Sequence, residues 1–195
     1  MKSQLRIKDL ITIGIFSAIY LITYMFLSGV LFTPILFMLM LPIGALLMGP
    51  VYMLYIARTQ KVGAITIMGF LTALIIGFLV YGNILIALVI FAFGLLAELA
   101  AYTGKYKSLR WNILSYCLMS FWAIGVFAPW WVAQDWIREL TITSGYPAEY
   151  ADGALALATP FNLILIIAST VICALISAFI ANSMLKKHFV RAGIA

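Results

Sequence analysis

The 195-residue chain is 66% hydrophobic and only 9% charged, with a formal net charge of +6. A soluble domain of this length could not bury so much apolar surface, whereas a lipid bilayer can solvate it. The apolar residues occur in long runs and not in short alternating segments, which argues against a transmembrane barrel. The composition therefore predicts an all-α integral membrane protein that forms a single domain over residues 1–195.

Six apolar runs are predicted to cross the membrane, since about 20 residues rising ~1.5 Å each span ~30 Å of hydrocarbon. The second run contains Pro42 and Pro50, which predict a kinked or broken helix because proline removes a backbone hydrogen bond. A tight turn at 81–83 separates the third and fourth runs. The predicted spans are 11–30, 35–56, 62–81, 84–102, 112–132 and 161–185.

The basic residues predict the topology of these six spans. All but one of the 12 lysines and arginines lie before the first span or after the second, fourth and sixth spans. Basic loops remain in the cytoplasm, so both termini are predicted to be cytoplasmic. Charges scattered over short loops form no basic patch, and we expect no nucleic-acid partner.

The longest loop, 133–160, lies on the predicted outer side and holds Arg138 together with four of the six acids. Residues 135–140 are predicted to extend the fifth helix, and 144–147 have turn chemistry. A short amphipathic helix is predicted over 148–158. Long loops with structure of their own are often lids or binding loops.

The sequence offers little catalytic machinery. Its single histidine, His188, has no metal-ligand partner at a suitable spacing, and no phosphate-binding loop ending in Gly-Lys-Ser/Thr is present. Cys117 and Cys173 lie inside apolar runs, which disfavours a disulfide or metal pair. We therefore expect a protein that is not an enzyme and that needs no metal or cofactor.

Two features within the spans each have two interpretations. Glu98 is the only acid well inside a span. It is interpreted either as paired locally near the cytoplasmic interface or as in contact with a partner. Gly14 and Ala18 leave one face of the first helix flat, for packing inside the chain or against another protein. Ser17 is predicted to extend that face.

The stretch 127–136 is rich in aromatic residues and has two interpretations of its own. Tryptophan is common at the membrane interface, which accounts for an aromatic belt. Aromatic walls beside a few polar groups also resemble a ligand pocket. Arg138 could bind a substrate carboxylate or simply pair with Asp135, one helical turn away. The predicted pocket residues are Tyr24, Phe32, Tyr81, Asn83, Trp130, Trp131, Gln134, Asp135, Arg138 and Asn162.

The chain resembles the substrate-binding S components of energy-coupling factor (ECF) transporters. Six spans in about 190 residues, basic cytoplasmic turns and a first helix with small residues carry the general resemblance. More narrowly, the segment 94–99 (GLLAEL) in the fourth span and Pro129-Trp130 at the end of the fifth resemble the MptD (Trep_Strep) family of S components.

The resemblance implies a subunit of an ABC-type importer in the plasma membrane of a prokaryote. Such a subunit captures a vitamin-like micronutrient outside the cell and docks on a transmembrane coupling (T) subunit driven by two cytoplasmic ATPases. In this family an Ala-xxx-Ala motif of the first helix faces the coupling subunit, and Gly14 and Ala18 occupy the matching positions. The first outer loop, 28–34, is short here, so part of the lid is expected from 133–160.

Other functions remain open from the sequence. The main alternative is a membrane accessory or assembly protein that uses the same face of the first helix and binds no small molecule. A stand-alone permease is less well supported, because the sequence shows no internal repeat and no buried ion-coupling groups. An integral-membrane enzyme is the least supported class.

Overall fold

The structure is a computed structural model that describes residues 5–30 and 33–185. Within these ranges every regular element is helical, and no strand occurs. A π-helix, Ala73–Val80, continues directly from α5. The α-helices are α1 (Ile7–Val30), α2 (Pro34–Met38), α3 (Met40–Leu47), α4 (Gly49–Thr59), α5 (Ala64–Thr72), α6 (Ile84–Thr103), α7 (Leu109–Ser120), α8 (Ile124–Phe127), α9 (Pro129–Val132), α10 (Gln134–Thr143), α11 (Ala148–Leu157) and α12 (Pro160–Met184).

Three described helices are long and apolar enough to cross a membrane: Ile7–Ser28, Ile84–Thr103 and Pro160–Met184. The bent pair α3 and α4 would make a fourth span. By length and composition the described residues therefore support three to four spans, where the sequence predicted six. The predicted orientation of the termini stays a prediction.

The second predicted span is broken, as its prolines indicated. A break at Leu39 separates α2 from α3, and a second at Met48 turns α4 by 48° from α3. Pro50 lies in the first turn of α4, where a missing N–H costs nothing within the helix. The prediction of a kinked or broken helix at this position is confirmed.

The third and fifth predicted spans also differ from continuous helices. The third is only Ala64–Val80, and its second half has the wider turns of a π-helix. The fifth ends as an α-helix at Ser120, and two short helices follow it, α8 and α9. Residues 135–140, predicted to extend the fifth helix, belong instead to the separate helix α10. Because each piece is short, neither region qualifies by length as an uninterrupted span.

Glycines allow α5 and its π-helical extension to lie unusually close to α6. A Cβ atom added to Gly69 would come within 2.9 Å of the Gly94 backbone. One added to Gly77 would lie 2.4 Å from the Ala87 Cα atom. On the other sides of the bundle, α6 packs against α7, α12 packs against α3 and α4, and α1 packs against α4 and α5.

Contacts between distant residues define two ends of the bundle. At the basic end, the Lys61 ammonium pairs with Asp9, which joins the start of α1 to the turn between α4 and α5. Glu98 joins the start of α5 to the turn after α6, through Thr66 and Tyr106. At the opposite end, α10 and α11 form a helical hairpin that lies over the ends of several other helices.

Candidate functional site

A cavity of about 270 Å³ lies beneath the hairpin formed by α10 and α11. Its floor is built by the ends of α1, α2, the π-helix and α9, so elements far apart in sequence meet there. Its lining is mainly aromatic and aliphatic. The aromatic lining residues are Phe37, Tyr81, Trp130, Tyr146 and Tyr150, and the aliphatic ones are Val80, Ile137 and Leu140.

Three aliphatic hydroxyl groups complete the lining, and each donates its proton to its own helix. Ser28 Oγ donates to Met25 O at 2.8 Å. Thr141 Oγ1 donates to Ile137 O, and Ser144 Oγ donates to Leu140 O, both at 2.7 Å. A hydroxyl has one proton and two lone pairs, so these oxygens face a ligand as acceptors. None of the described residues that line the cavity is charged.

An ion pair ties the two arms of the hairpin together. Arg138 Nε donates to Asp152 Oδ1 at 2.7 Å, and Nη2 donates to Oδ2 at 3.2 Å. This two-point geometry fixes both side chains, although both are partly exposed. The hydrogen bond from Arg138 holds the pKa of Asp152 below its usual value. Arg138 therefore pairs with the opposite arm and not with Asp135.

Acid is expected to loosen the hairpin. Because the folded pKa of Asp152 is depressed, its contribution to stability is complete above the ordinary carboxyl pKa and disappears as the pH falls through the lower folded value. The protection of α10 and α11 amides in hydrogen–deuterium exchange, corrected for the intrinsic exchange rate at each pH, should therefore fall below about pH 4. In the Asp152→Asn variant this acid-dependent step should vanish. An unchanged acid response in that variant would contradict the assignment.

The structure brings two of the predicted pocket residues into the cavity, Tyr81 and Trp130. Three others support local structure. Trp131 Nε1 donates to Thr159 O at 3.0 Å, and Asn83 Oδ1 accepts from Leu85 N at 2.9 Å as the N-cap of α6. Asn162 Nδ2 donates to Leu157 O at 2.8 Å. These side chains satisfy backbone groups at helix ends.

The remaining predicted pocket residues lie elsewhere or cannot be placed. Tyr24 packs edge-on against Trp122, at a centroid distance of 4.5 Å, and lines a small internal cavity of about 20 Å³. Gln134 and Asp135 are exposed on α10. Phe32 lies outside the described residues.

Sequence reasoning missed several lining residues, above all Phe37, Tyr146 and Tyr150. The rings of Tyr146 and Tyr150 lie 5.0 Å apart, and their four-residue spacing at the start of a predicted helix was a usable signal. Phe37 stacks on Phe127 at 4.8 Å, and nothing in its local sequence distinguishes it from an ordinary apolar residue.

A second cavity of about 320 Å³ lies between α2 and α12. Its lining is apolar apart from Asn162 and Ser169. Asn162 already donates to Leu157 O, and Ser169 Oγ donates to Leu165 O at 2.7 Å. This cavity offers few polar groups that would orient a ligand.

The first helix presents its small residues outward. Gly14 and Ala18 are exposed, and a Cβ atom added to Gly14 would meet nothing within 4 Å. Large apolar neighbours on the same face are also exposed, among them Ile11 at 58% and Ile22 at 65%. The described residues do not pack this face inside the chain, which was one of its two interpretations. Ser17, predicted to extend the face, instead points inward and is 2% exposed.

Glu98 is buried, at 7% exposure, and its carboxylate is shared by several donors. Thr66 N donates to Oε2 at 3.0 Å and Thr66 Oγ1 to the same atom at 3.4 Å, while the Tyr106 hydroxyl donates to Oε1. Thr66 lies in the first turn of α5, so Glu98 caps that helix from α6. Local pairing, one of the two interpretations of Glu98, is what the structure shows, with Thr66 and Tyr106 as partners.

Replacing Glu98 by alanine is expected to destabilise the protein by about 1–3 kcal/mol, because buried donors lose their acceptor. Glu98→Gln keeps one acceptor oxygen and should cost less. Chemical unfolding in detergent would measure both. If Glu98→Ala unfolds like the unchanged protein yet fails to bind its partners, Glu98 is a partner contact and the capping role is wrong.

The described residues hold no group of three or more histidine, cysteine, aspartate or glutamate side chains that could bind a metal ion. Cys117 and Cys173 are both free thiols and half-buried. The polar chemistry of the cavity lining is that of hydroxyl groups and the indole N–H of Trp130, set among aromatic faces.

Long apolar helices around a helical core define a polytopic α-helical membrane protein. A family model described as "Hypothetical bacterial integral membrane protein (Trep_Strep)" matches residues 7–191. The chain belongs to this Trep_Strep family of integral membrane proteins. Comparisons with curated proteins and with solved structures found no match.

Proposed function

We propose that the protein is the substrate-binding S component of an ECF-type importer, and that the cavity under the hairpin binds its substrate. The observation that carries this proposal is an aromatic cavity roofed by a helical hairpin at the end opposite the basic turns. By the charge rule, the basic end faces the cytoplasm and the hairpin faces outward. The substrate would be a vitamin-like, planar or aromatic micronutrient.

The chain's own residues would bind and enclose the substrate. Trp130, Tyr81 and Phe37 supply aromatic surface from the membrane-embedded floor, and Tyr146 and Tyr150 supply it from the hairpin. The cavity is near the lower limit of typical ligand sites, ~300 Å³, which suits a small molecule. The Arg138–Asp152 pair keeps the hairpin together as one unit.

Energy for transport would come from other subunits. The sequence has no phosphate-binding loop, so we assign ATP hydrolysis to two cytoplasmic ATPases and no catalytic role to this chain. The exposed face around Gly14 and Ala18 is the proposed contact for the membrane coupling subunit. Small residues allow another helix to approach closely there.

A membrane accessory or assembly protein is the second candidate function. The same exposed face of α1 supports it, because any membrane partner could use a flat apolar surface. The two functions differ in the cavity: an accessory protein has no need of a ligand there.

Affinity purification of the tagged protein from its native membrane tests the proposal, with mass spectrometry of proteins and small molecules. Recovery of ATPases with a membrane coupling subunit is the expected result. Any retained small molecule becomes the leading substrate candidate. Recovery of a different membrane complex, with an empty cavity, would favour the accessory function.

Truncation of Trp130 is expected to abolish retention of that small molecule, because the largest aromatic surface of the cavity is lost. Trp130→Ala and Tyr146→Ala are the test variants, and Tyr146 is 43% exposed, so its truncation should leave the fold intact. Trp136→Ala repeats the same chemical change outside the cavity lining, at a residue that is 37% exposed where Trp130 is 3% exposed, so its exposure resembles that of Tyr146. Native mass spectrometry of the purified variants gives the readout. Full retention in both test variants, with normal unfolding temperatures, would remove the cavity from the proposal.

A further inference from the structure

We infer that the cavity under the hairpin selects an organic cation, such as a quaternary or protonated amine, over neutral and anionic molecules of the same shape. The inference rests on the proposed function, because it names the class of substrate for that cavity. Three independent features of the cavity and its roof support it: the aromatic lining, the state of the hydroxyl groups, and the charge of the hairpin.

The aromatic lining is the first feature. Five aromatic side chains contribute to one small cavity, and two of them, Phe37 and Trp130, lie 5.7 Å apart in an edge-to-face arrangement. The face of an aromatic ring carries negative potential and attracts a cation, with tryptophan the strongest. Clusters of aromatic rings are the usual protein site for alkylated ammonium groups.

The hydroxyl groups are the second feature. The three hydroxyl groups donate hydrogen bonds to helix carbonyls, so each oxygen keeps lone pairs for the cavity; they belong to Ser28, Thr141 and Ser144. An ammonium N–H or a polarised N–CH₃ group is a suitable partner for such oxygens. A carboxylate or phosphate gains no hydrogen bond from these three oxygens, and its only donors in the described lining are the indole N–H of Trp130 and the tyrosine hydroxyls.

Charge is the third feature. Four exposed acids, Asp135, Glu139, Glu149 and Asp152, lie on the hairpin with a single basic residue, Arg138. Arg138 is the one basic side chain of the hairpin, and its guanidinium is already held by Asp152 through two hydrogen bonds. The excess of acids raises the local concentration of cations at the cavity and repels anions. The earlier hypothesis that Arg138 binds a carboxylate is therefore not retained.

Three probes of nearly the same shape test the inference: choline, 3,3-dimethylbutan-1-ol and 3,3-dimethylbutanoate. In choline a charged nitrogen replaces the central carbon of the alcohol, so charge is the main difference. Affinities are measured by saturation-transfer NMR on the purified protein in a maltoside detergent, which contains no choline headgroup. We expect choline to bind ~10-fold or more tightly than the alcohol. The anion should bind no better than the alcohol.

Two sets of variants test whether the preference for choline arises from the cavity lining and from the charge of the hairpin. Trp130→Leu should remove the preference for choline, whereas Trp130→Phe, which keeps a ring, should retain most of it. Because Trp130→Leu could also disturb the fold, a second variant leaves the cavity untouched: Asp135→Asn combined with Glu139→Gln. It should weaken choline binding at low salt and leave the alcohol unaffected, and the difference should fade at high salt.

Any of three results would overturn the cation inference. They are equal affinity for choline and the alcohol, a preference for the alcohol or the anion, and binding of none of the three probes. These outcomes do not decide the proposed function, which depends on the recovered subunits and on the Trp130→Ala and Tyr146→Ala variants. A neutral or anionic molecule retained by the native protein would refute the cation class and support the substrate-binding role.

Discussion

Replacing Gly77 by alanine is expected to destabilise the protein by about 1–3 kcal/mol or more. The added Cβ atom would lie 2.4 Å from the Cα and 2.5 Å from the N of Ala87. These are backbone atoms of α6, so no side-chain rotation relieves the overlap, and the two helices must separate. Separation opens gaps along the interface, including the close contact between Gly69 and Gly94. Thermal unfolding in detergent measures the loss.

Gly14→Ala is the matched control for this variant. It makes the same chemical change in a helix, but the Cβ atom enters open space, and alanine has the higher helix propensity. The control should unfold at the same temperature as the unchanged protein or slightly above it. Equal stability of Gly77→Ala and Gly14→Ala would contradict the close approach of the π-helix to α6.

Replacing Gly14 or Ala18 by leucine is expected to abolish co-purification of the coupling subunit, while the lone protein folds and binds its ligand normally. Both positions are exposed, so a leucine there fills no space inside this chain. It would hold a partner helix away from a surface that needs small residues. The amount of coupling subunit recovered with each variant gives the result.

Ala168→Leu is the control, since Ala168 is an exposed small residue of α12, away from the α1 face. It should leave recovery of the coupling subunit unchanged. If Gly14→Leu and Ala18→Leu unfold the protein, the α1 face packs within the chain and is not a partner surface. If they leave both the fold and the recovery intact, the partner surface lies elsewhere.

The segment 94–99 illustrates how a recognisable motif acquires a physical role. Its residues at positions 94, 97 and 98 face α5 and α7: Gly94 meets Gly69, the Ala97 carbonyl accepts from Ser115 Oγ at 2.7 Å, and Glu98 caps α5. The spacing of three and four residues places them on one helical face. The motif therefore builds helix packing from the middle of α6 toward the basic end, and none of its residues lines the hairpin cavity.

The turn and the second arm of the hairpin were predictable because their signals are local. Turn residues at 144–147 and the short amphipathic segment after them predicted the turn before Pro147 and α11 (Ala148–Leu157) with only small errors in their boundaries. The prediction that 135–140 extend the fifth helix was wrong, because these residues belong to the separate helix α10 (Gln134–Thr143). The residues that lie beneath the hairpin were not predictable from such local signals. Its ion pair joins Arg138 to Asp152 across the two arms, where local spacing had suggested Asp135.

The sequence by itself determined the class of protein, the broken second span, the turns at 81–83 and 144–147, and the short helix α11. These features depend on composition, proline positions and turn residues, which act over a few residues of chain. Only the tertiary structure decided which aromatic residues share a cavity, that Gly14 and Ala18 face outward while Ser17 faces inward, and that Glu98 caps α5. Hydrophobic periodicity was uninformative on these points, because both the lipid-facing and the buried sides of a helix are apolar in a membrane protein. The side that is buried depends on neighbours distant in sequence.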